Sequence, residues 1–360
     1  MFLLDTKVVK EVFVKCYGGE ETGINCYKCC CGAVLYGEGF EKCGLAMGGL
    51  SFGIDTVVAL KTDESQKINI INSNENIEYE CKLNELNVFV GDKFSKSLFR
   101  AFAMFKGNIK GAKVLISYGV EDIKFKRPVT TFIASLGILN NGKMSDIEVT
   151  RCLLEECEEK NYSFLPAELY GRKNTLVCRK SDGEWEYVPF CIAGYKMVLS
   201  YTNSDIIDIE KIISPAYDEL KEEYPDFYNK IDDISSVDKV KKYIINECKR
   251  AKRLEKDILK NGCITPELTV ILKESAYELF SLLGKSADEM HEMYKISEST
   301  GNCVIPLWRL GGICAFVKDN EVDKYVEFIS KEYQKKVGTM PTLCICDHDD
   351  SGVLSDVKSE

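Results

Sequence analysis

The spacing of hydrophobic and polar positions changes along the chain. In the first 200 residues, apolar positions form short runs between polar turns, as in 56–62, 67–72 and 77–83. Short runs of this kind, partly alternating with polar residues, predict β-strands. The same reasoning predicts an N-terminal amphipathic helix, a helix over 97–108, a strand over 111–120, a capped helix over 145–160, a hairpin around 181–183 and a strand over 195–204.

Beyond about residue 205, apolar residues recur with the period of a helix. Long helices are predicted over 238–261 and 266–283, with Gly262 and Gly284 as their C-caps. Further on, an apolar segment over 304–317 precedes a predicted helix over 320–337 and a predicted strand over 342–347. Strands and helices that do not strictly alternate favour an α+β fold. We expect two domains, 1–200 and 201–360, because the chain is long for one.

Composition limits the classes of partner. The 360 residues are 45% hydrophobic and 29% charged, with a formal net charge of −10, as in an ordinary globular protein. An acidic surface disfavours nucleic acid as a partner, since phosphate binding needs positive charge. No apolar run approaches the length of a membrane span, and Asp5 interrupts what would be the core of a signal peptide. We therefore expect a cytoplasmic protein without a membrane partner.

Cysteine is unusually frequent, at 17 residues. An odd number at irregular spacing favours free, mostly buried thiols that act as small hydrophobic residues. The densest cluster contains Cys29, Cys30 and Cys31, which lie in a predicted strand. Successive side chains of a strand point to opposite faces, so these three cannot all reach one metal ion. A metal or redox protein that uses this cluster is nevertheless kept as an alternative.

The two histidines are weak candidates for chemistry. His291 lies in a charged helical segment, and we expect it to be solvated. His348 lies beside Cys346, Asp347, Asp349 and Asp350, which would make a conceivable metal cluster. A polar C-terminal tail is the preferred interpretation, and no metal is expected.

Several segments, in the right order, resemble the galactokinases of the GHMP kinase superfamily. Near the C-terminus these are "WRLGGICAFV" and "MPTLCICDHDDSGV", preceded by "LSYTNSD", "ECKRAKRLEKDI" and "LKESAYELF". Near the N-terminus they are "GAVLYGEGFE" and "GGLSFGIDTVVAL". The resemblance implies the two-domain GHMP fold. It consists of an N-terminal mixed α/β domain, a ferredoxin-like C-terminal domain and an active site in the cleft between them.

The resemblance also implies a sugar site. The family binds sugar hydroxyls with carboxylates on the loop after its Gly-Glu-His motif, and this chain has Glu38 and Glu41 there. Gly311 and Gly312 match the family's glycine-rich turn near the sugar cleft. The alternative for Glu38 and Glu41 is that they are solvated loop acids.

Three catalytic elements of the family are altered, and the first is its arginine. Ala33 stands where galactokinases have the arginine that lies near the transferred phosphoryl group, and Gly39 replaces the histidine. An alanine supplies no cation.

The second altered element is the phosphate loop. Residues 120–137 lack the family's small residues and carry Phe125 and Pro128 instead. Bulky side chains occupy the space that a triphosphate needs, and proline removes a backbone donor. Residues that still favour an anion or a helix start are Lys126, Arg127, Thr130 and Thr131.

The third altered element is the catalytic aspartate. Phe164 or a neighbour falls at its position, and Glu168 is about one turn out of register. A general base must reach the proton that it takes, so we assign no catalytic residue.

Together these changes predict a pseudokinase that keeps the GHMP scaffold and needs no cofactor. Its partner would be a sugar-like small molecule in the cleft or another protein that it regulates. The alternative is a divergent, active sugar 1-kinase that uses MgATP and recruits other residues such as Lys126 and Glu168.

Overall fold

The computed structural model describes most of the chain outside one long segment. The described residues are 5–38, 40, 47–91, 93–105, 109–118, 175–179, 185–202, 207–225, 227, 231, 234, 237–308, 311–347 and 354–355. They form a mixed α+β protein with two sheets, as predicted. None of the described helices combines the length and the apolar composition needed to cross a membrane.

The first sheet has eight strands in the described residues. The strands follow the order β12–β1–β2–β5–β3–β4. Strand β6 pairs with the first residues of β2 and with β7. All neighbours are antiparallel except β3 and β5, which are parallel. The strands are β1 (Asn25–Tyr36), β2 (Met47–Thr62), β3 (Lys67–Asn72), β4 (Ile77–Lys82), β5 (Ala112–Tyr118), β6 (Thr175–Arg179), β7 (Trp185–Pro189) and β12 (Leu354–Ser355).

Two described helices accompany this sheet, α1 (Thr6–Tyr17) and α2 (Lys93–Phe105). Helix α1 begins at Asp5, whose carboxylate accepts a hydrogen bond from the backbone N–H of Lys7. Its apolar side, with Val9 and Phe13, packs on the middle of the sheet. The predicted N-terminal amphipathic helix is therefore confirmed.

The second sheet has four strands, β8 (Tyr195–Tyr201), β9 (Cys303–Leu307), β10 (Gly312–Lys318) and β11 (Thr342–Cys346). Their order is β11–β8–β10–β9, and all neighbours are antiparallel. This is the strand order of a ferredoxin-like domain. Five helices belong to the same part of the chain: α3 (Ile209–Glu223), α4 (Lys239–Asn261), α5 (Pro266–Leu283), α6 (Asp288–Glu298) and α7 (Val322–Val337).

Local capping defines the ends of the two helices that matter most for the site. Asp238 caps the start of α4 by accepting hydrogen bonds from two backbone N–H groups, and Thr265 caps α5 through the N–H of Leu268. Gly262 ends α4 in the left-handed conformation, at φ 57°, which favours glycine. Gly284 follows α5, so both predicted C-caps are confirmed.

Both faces of the second sheet are buried. One face packs against the helices, and the other packs against β1, β6 and β7 of the first sheet in a shared apolar cluster. Four cysteines of the second sheet lie on this shared face: Cys303, Cys314, Cys344 and Cys346. Burial raises the pKa of Cys303 to about 12, so its thiol stays protonated at neutral pH. In the described residues, most free cysteines thus act as small hydrophobic residues, as predicted.

The predicted boundary between domains stays a prediction. Strand β8 ends at Tyr201 and belongs to the second sheet, whereas β12 near the C-terminus pairs with β1 of the first. The capped helix predicted over 145–160 lies outside the described residues.

Candidate ligand site

A tight turn after β1 carries the first candidate residue. Gly37 has φ 81°, and the backbone N–H of Phe40 donates to its carbonyl oxygen at 3.1 Å. The Phe40 side chain is almost fully buried and packs against Tyr243 of α4, with ring centroids 6.0 Å apart. Glu38 is thereby held, partly buried, in a turn that follows β1 and whose Phe40 side chain packs against α4.

A pocket opens beside this turn. Its space of about 380 Å³ includes open solvent, and the enclosed part is only about 30 Å³, so the pocket is a shallow, open cleft. One wall consists of the end of β1 and its turn, and the opposite wall consists of α4, α5 and the end of β9. The lining residues are Val34, Leu35, Tyr36, Gly37, Glu38, Tyr243, Glu247, Leu272, Ser275, Ile305, Pro306 and Trp308.

The helical wall contains a buried charge pair. Glu247 is 5% exposed and accepts a hydrogen bond from Nε of Arg250 at 2.7 Å. The hydroxyl of Ser275, on α5, donates to the other oxygen of Glu247 at 3.0 Å. Since both oxygens are held, the carboxylate of Glu247 has a fixed orientation beside the pocket.

Arg250 connects this pair to a second acid. Its Nη1 lies 2.7 Å from Glu278 of α5, and its guanidinium lies 5.7 Å from the ring centroid of Tyr243. Burial opposes its charge, but the carboxylates of Glu247 and Glu278 raise its pKa above the ordinary value. Burial also raises the pKa of Tyr243, which stays a neutral phenol. The network has two acids and one base, so it carries a net negative charge.

The polar groups in the pocket suit a ligand with hydroxyl groups. Carboxylates accept several hydrogen bonds, and Ser275 and Tyr243 add hydroxyls that can donate or accept. Trp308 and Leu272 supply apolar surface, as is common in small-molecule sites. None of the described lining residues carries a positive charge. The described lining therefore favours neutral polyhydroxylated ligands over phosphates.

Ala33 lies in the apolar core behind this wall. It is 3% exposed, pairs with Leu50 across β1 and β2, and packs in the cluster shared by the two sheets. Gly39 and Glu41 lie outside the described residues.

The two glycines predicted for the sugar site have backbone roles. Gly311 has φ 64°, and its carbonyl accepts hydrogen bonds from both the N–H and the hydroxyl of Thr202. At Gly312, a Cβ atom would lie 2.5 Å from the backbone oxygen of Ser200. Both glycines lie just after Trp308, near the pocket but not in its lining. Their predicted contact with a sugar stays a prediction.

The other predicted site residues lie outside the described part of the chain. They are the phosphate-loop residues Phe125, Lys126, Arg127, Pro128, Thr130 and Thr131, and the residues near the aspartate position, Phe164 and Glu168.

His291, predicted to be solvated, is partly exposed and also makes aromatic contacts. Its ring stacks on Phe280 of α5 at 4.4 Å, meets Tyr277 edge-on, and its Nε2 is buried without a hydrogen-bond partner. Burial and the nearby Lys295 lower its pKa. The charged residues around His291 suggest an exposed helix face, and nothing in this segment predicts the aromatic contact with α5.

The conceivable metal cluster near His348 is only partly described. Asp347 forms an ion pair with Lys196 at 2.5 Å, and Cys346 is fully buried in the second sheet. His348, Asp349 and Asp350 lie outside the described residues. Where side chains are described, no group of three metal-ligating residues occurs.

Sequence reasoning missed the helical wall of the pocket. A usable signal exists, because Glu247 lies four residues after Tyr243 and four before Ala251. It therefore falls on the apolar side of α4, where an acid needs a partner. Arg250 follows three residues later, on the same side. That the partners also include Ser275 and Glu278 depends on how α5 packs against α4.

The fold is similar to solved structures of small-molecule kinases. The galactokinase of Lactococcus lactis, solved with galactose, has a TM-score of 0.78 at 16% identity, over 97% of this chain and 99% of that one. The mevalonate kinase of Methanococcus jannaschii has a TM-score of 0.62 at 14% identity, over 90% and 98%. A D-glycero-D-manno-heptose 1-phosphate kinase from Bacteroides thetaiotaomicron has a TM-score of 0.63 at 11% identity, over 94% and 100%.

No family model and no curated protein sequence matches the chain. The similarity is therefore one of fold. It extends over nearly the whole chain and confirms the predicted GHMP kinase fold.

Proposed function

We propose that the chain is a galactokinase-like member of the GHMP kinase superfamily that has lost phosphoryl transfer. In this proposal it binds a sugar or a similar polyhydroxylated molecule in the pocket beside Glu38. The observation that carries the proposal is the arrangement of Glu38 opposite Glu247 and Ser275 around one open pocket. Carboxylates and hydroxyls on two walls can hold several hydroxyl groups of one ligand at once.

The loss of phosphoryl transfer is supported by Ala33. In galactokinases the matching arginine supplies a positive charge near the transferred phosphoryl group. Stabilising the negative charge of that group is most of what such a kinase does. Ala33 is instead part of the apolar core. The described pocket lining offers carboxylates and no cation to a triphosphate, and the segment that matches the phosphate loop lies outside the described residues. We therefore propose no step that passes through a nucleotide.

An active, divergent kinase is the alternative. It would need MgATP and would recruit residues such as Lys126 and Glu168. Release of ADP that depends on a sugar would overturn the pseudokinase proposal in favour of this one.

The proposal is tested by calorimetric titration with galactose, other hexoses and MgATP. We expect saturable binding of at least one sugar and no ADP release in its presence. The Glu38→Gln variant keeps the shape of the side chain but weakens acceptance of hydroxyl protons. We expect it to bind the same sugar about tenfold more weakly, which corresponds to about 1.4 kcal/mol.

Glu64→Gln is the matched control. Glu64 lies in an exposed turn between β2 and β3 and forms a surface ion pair with Lys110. Its replacement should leave sugar affinity unchanged. Equal sugar affinity of the unsubstituted protein, Glu38→Gln and Glu64→Gln would show that the ligand does not contact Glu38. If no sugar binds, the ligand proposal is contradicted. The remaining function would then be regulation of another protein by binding to it.

A further inference from the structure

Two cysteines meet where the first sheet contacts the end of α4. Cys191 follows β7, Cys263 follows α4, and the two residues form an isolated parallel β-bridge. The backbone N–H of Cys191 donates to the carbonyl oxygen of Gly262 at 2.6 Å. Paired strands lie about 4.8 Å apart, and disulfides join residues whose Cα atoms are about 4.4–6.8 Å apart. Bridged residues of a parallel pair also project to the same side, so the backbone arrangement is compatible with a disulfide between the two residues.

Both thiols are accessible to reagents in solution. Cys191 is exposed, and its neighbours Phe190 and Ile192 are buried, so Cys191 points outward. Cys263 is partly exposed, and both cysteines are free. Most other described cysteines are buried. Cys16, at the end of α1, is exposed, and no described cysteine forms a bridge with it.

We propose that Cys191 and Cys263 are a modification site that forms an intramolecular disulfide with a small oxidised disulfide such as oxidised glutathione. The thiolate of one cysteine attacks the glutathione disulfide, forms a mixed disulfide and releases one glutathione thiolate. The second cysteine thiolate then attacks the protein sulfur of the mixed disulfide and releases the other glutathione. The protein loses two electrons, the reagent gains them, and the two thiol protons end on the two glutathione molecules.

The new bond would tie the end of β7 to the end of α4. The β6–β7 hairpin packs against the C-terminal half of α4 through side chains such as Val188 and Ile258, which lie in the apolar cluster shared by the two sheets. The N-terminal half of the same helix carries Tyr243 and Glu247 in the ligand pocket. A disulfide at the end of α4 would fix this helix against the first sheet. The formation of this disulfide does not depend on which ligand the pocket binds.

The experiment exposes the full chain to oxidised glutathione, blocks the remaining thiols and maps peptides without reduction. We expect one linked peptide that joins Cys191 and Cys263, a rise in Tm of about 5 °C, and reversal of both by dithiothreitol. Cys191→Ser and Cys263→Ser should each lose the linked peptide and the rise in Tm. Cys16→Ser should keep both.

Two results would overturn the proposal. One is a stable mixed disulfide with glutathione on Cys191 without the linked peptide, which would show that the second thiol cannot reach it. The other is a linked peptide without a rise in Tm, which would show that the bond does not tie α4 to the hairpin. Mapping the unsubstituted protein answers the first question even if a variant folds poorly.

Discussion

The two walls of the pocket each carry a carboxylate, but they hold it in different ways. Glu38 lies at the tip of a turn, partly exposed to solvent. Glu247 lies on a helix, is 5% exposed, and is held by Arg250 and Ser275. Removing a buried, paired acid destabilises the fold, because the buried arginine is left without an opposite charge. A partly exposed acid on a turn can be reached by a ligand from solvent, and its interactions are weakened by water.

Breaking the pair on the helical wall should have the largest effect. Arg250→Met removes the base and leaves Glu247 buried without its ion pair. We expect a loss of about 3–5 kcal/mol in the free energy of unfolding, measured by urea denaturation.

Arg253→Met is the matched control on the same helix. Arg253 is about half exposed and pairs with Glu267 and Glu274 at the surface. Its loss should cost about 1 kcal/mol or less. Similar losses for the two variants would show that Arg250 is no more important to the fold than a surface arginine.

The turn wall depends on an aromatic anchor. Phe40→Ala removes the buried ring that fastens the Glu38 turn to Tyr243. We expect destabilisation of about 3 kcal/mol, together with weaker sugar binding because Glu38 loses its position. Phe328→Ala, on an exposed site of α7, should change stability far less. Full sugar affinity in Phe40→Ala would show that the turn is held by its backbone alone.

The far side of α5 offers a pH-dependent test of the helical wall. Burial against Phe280 lowers the pKa of His291, so the folded state favours the neutral ring. The contribution of His291 to stability is then fully present above the unfolded pKa of about 6.5. It is lost as the pH falls from that value through the lower pKa of the folded state. We expect a loss of less than about 1 kcal/mol between pH 7.5 and 5.5, since the ring is partly exposed.

His291→Gln should remove this part of the pH dependence. Urea midpoints of both proteins at the two pH values measure the effect. The acids Asp288 and Glu292 raise the pKa of His291 and so act against the shift. A parallel pH dependence in the two proteins would refute the assignment to His291.

The smallest effect on stability is expected at Glu38. Glu38→Gln should change the free energy of unfolding by less than about 0.5 kcal/mol, as is usual for surface substitutions. The same denaturation experiment measures it. A loss comparable to that of Arg250→Met would mean that both acids are structural, and the distinction between the two walls would be wrong.

Most of the elements in the described residues could be predicted from local patterns. Alternation and short apolar runs located the strands of the first sheet, and helical periodicity with glycine caps located α4 and α5. Helix α3 was not predicted, because Pro215 lies inside it. A proline normally ends a helix or kinks it, but the packing of Ile213 and Leu220 holds α3 together.

The candidate site was predicted only on one wall. Glu38 was recognised because its turn follows a local motif, "GAVLYGEGFE". Glu247 was overlooked although its helical spacing was visible, because nothing in its own segment shows which residues of α5 would neutralise it. Ser275 and Glu278 come from another helix, and their contacts arise from packing.

Local sequence was enough for the periodicities, the caps and the role of the buried cysteines, since each depends on neighbours in the chain. Tertiary contacts separated the acids of the pocket by role and brought Cys191 beside Cys263. The reason is that the energy of a charge or a thiol depends on solvent exposure and on partners from distant segments. Those become defined only when β1, β7, α4 and α5 pack together.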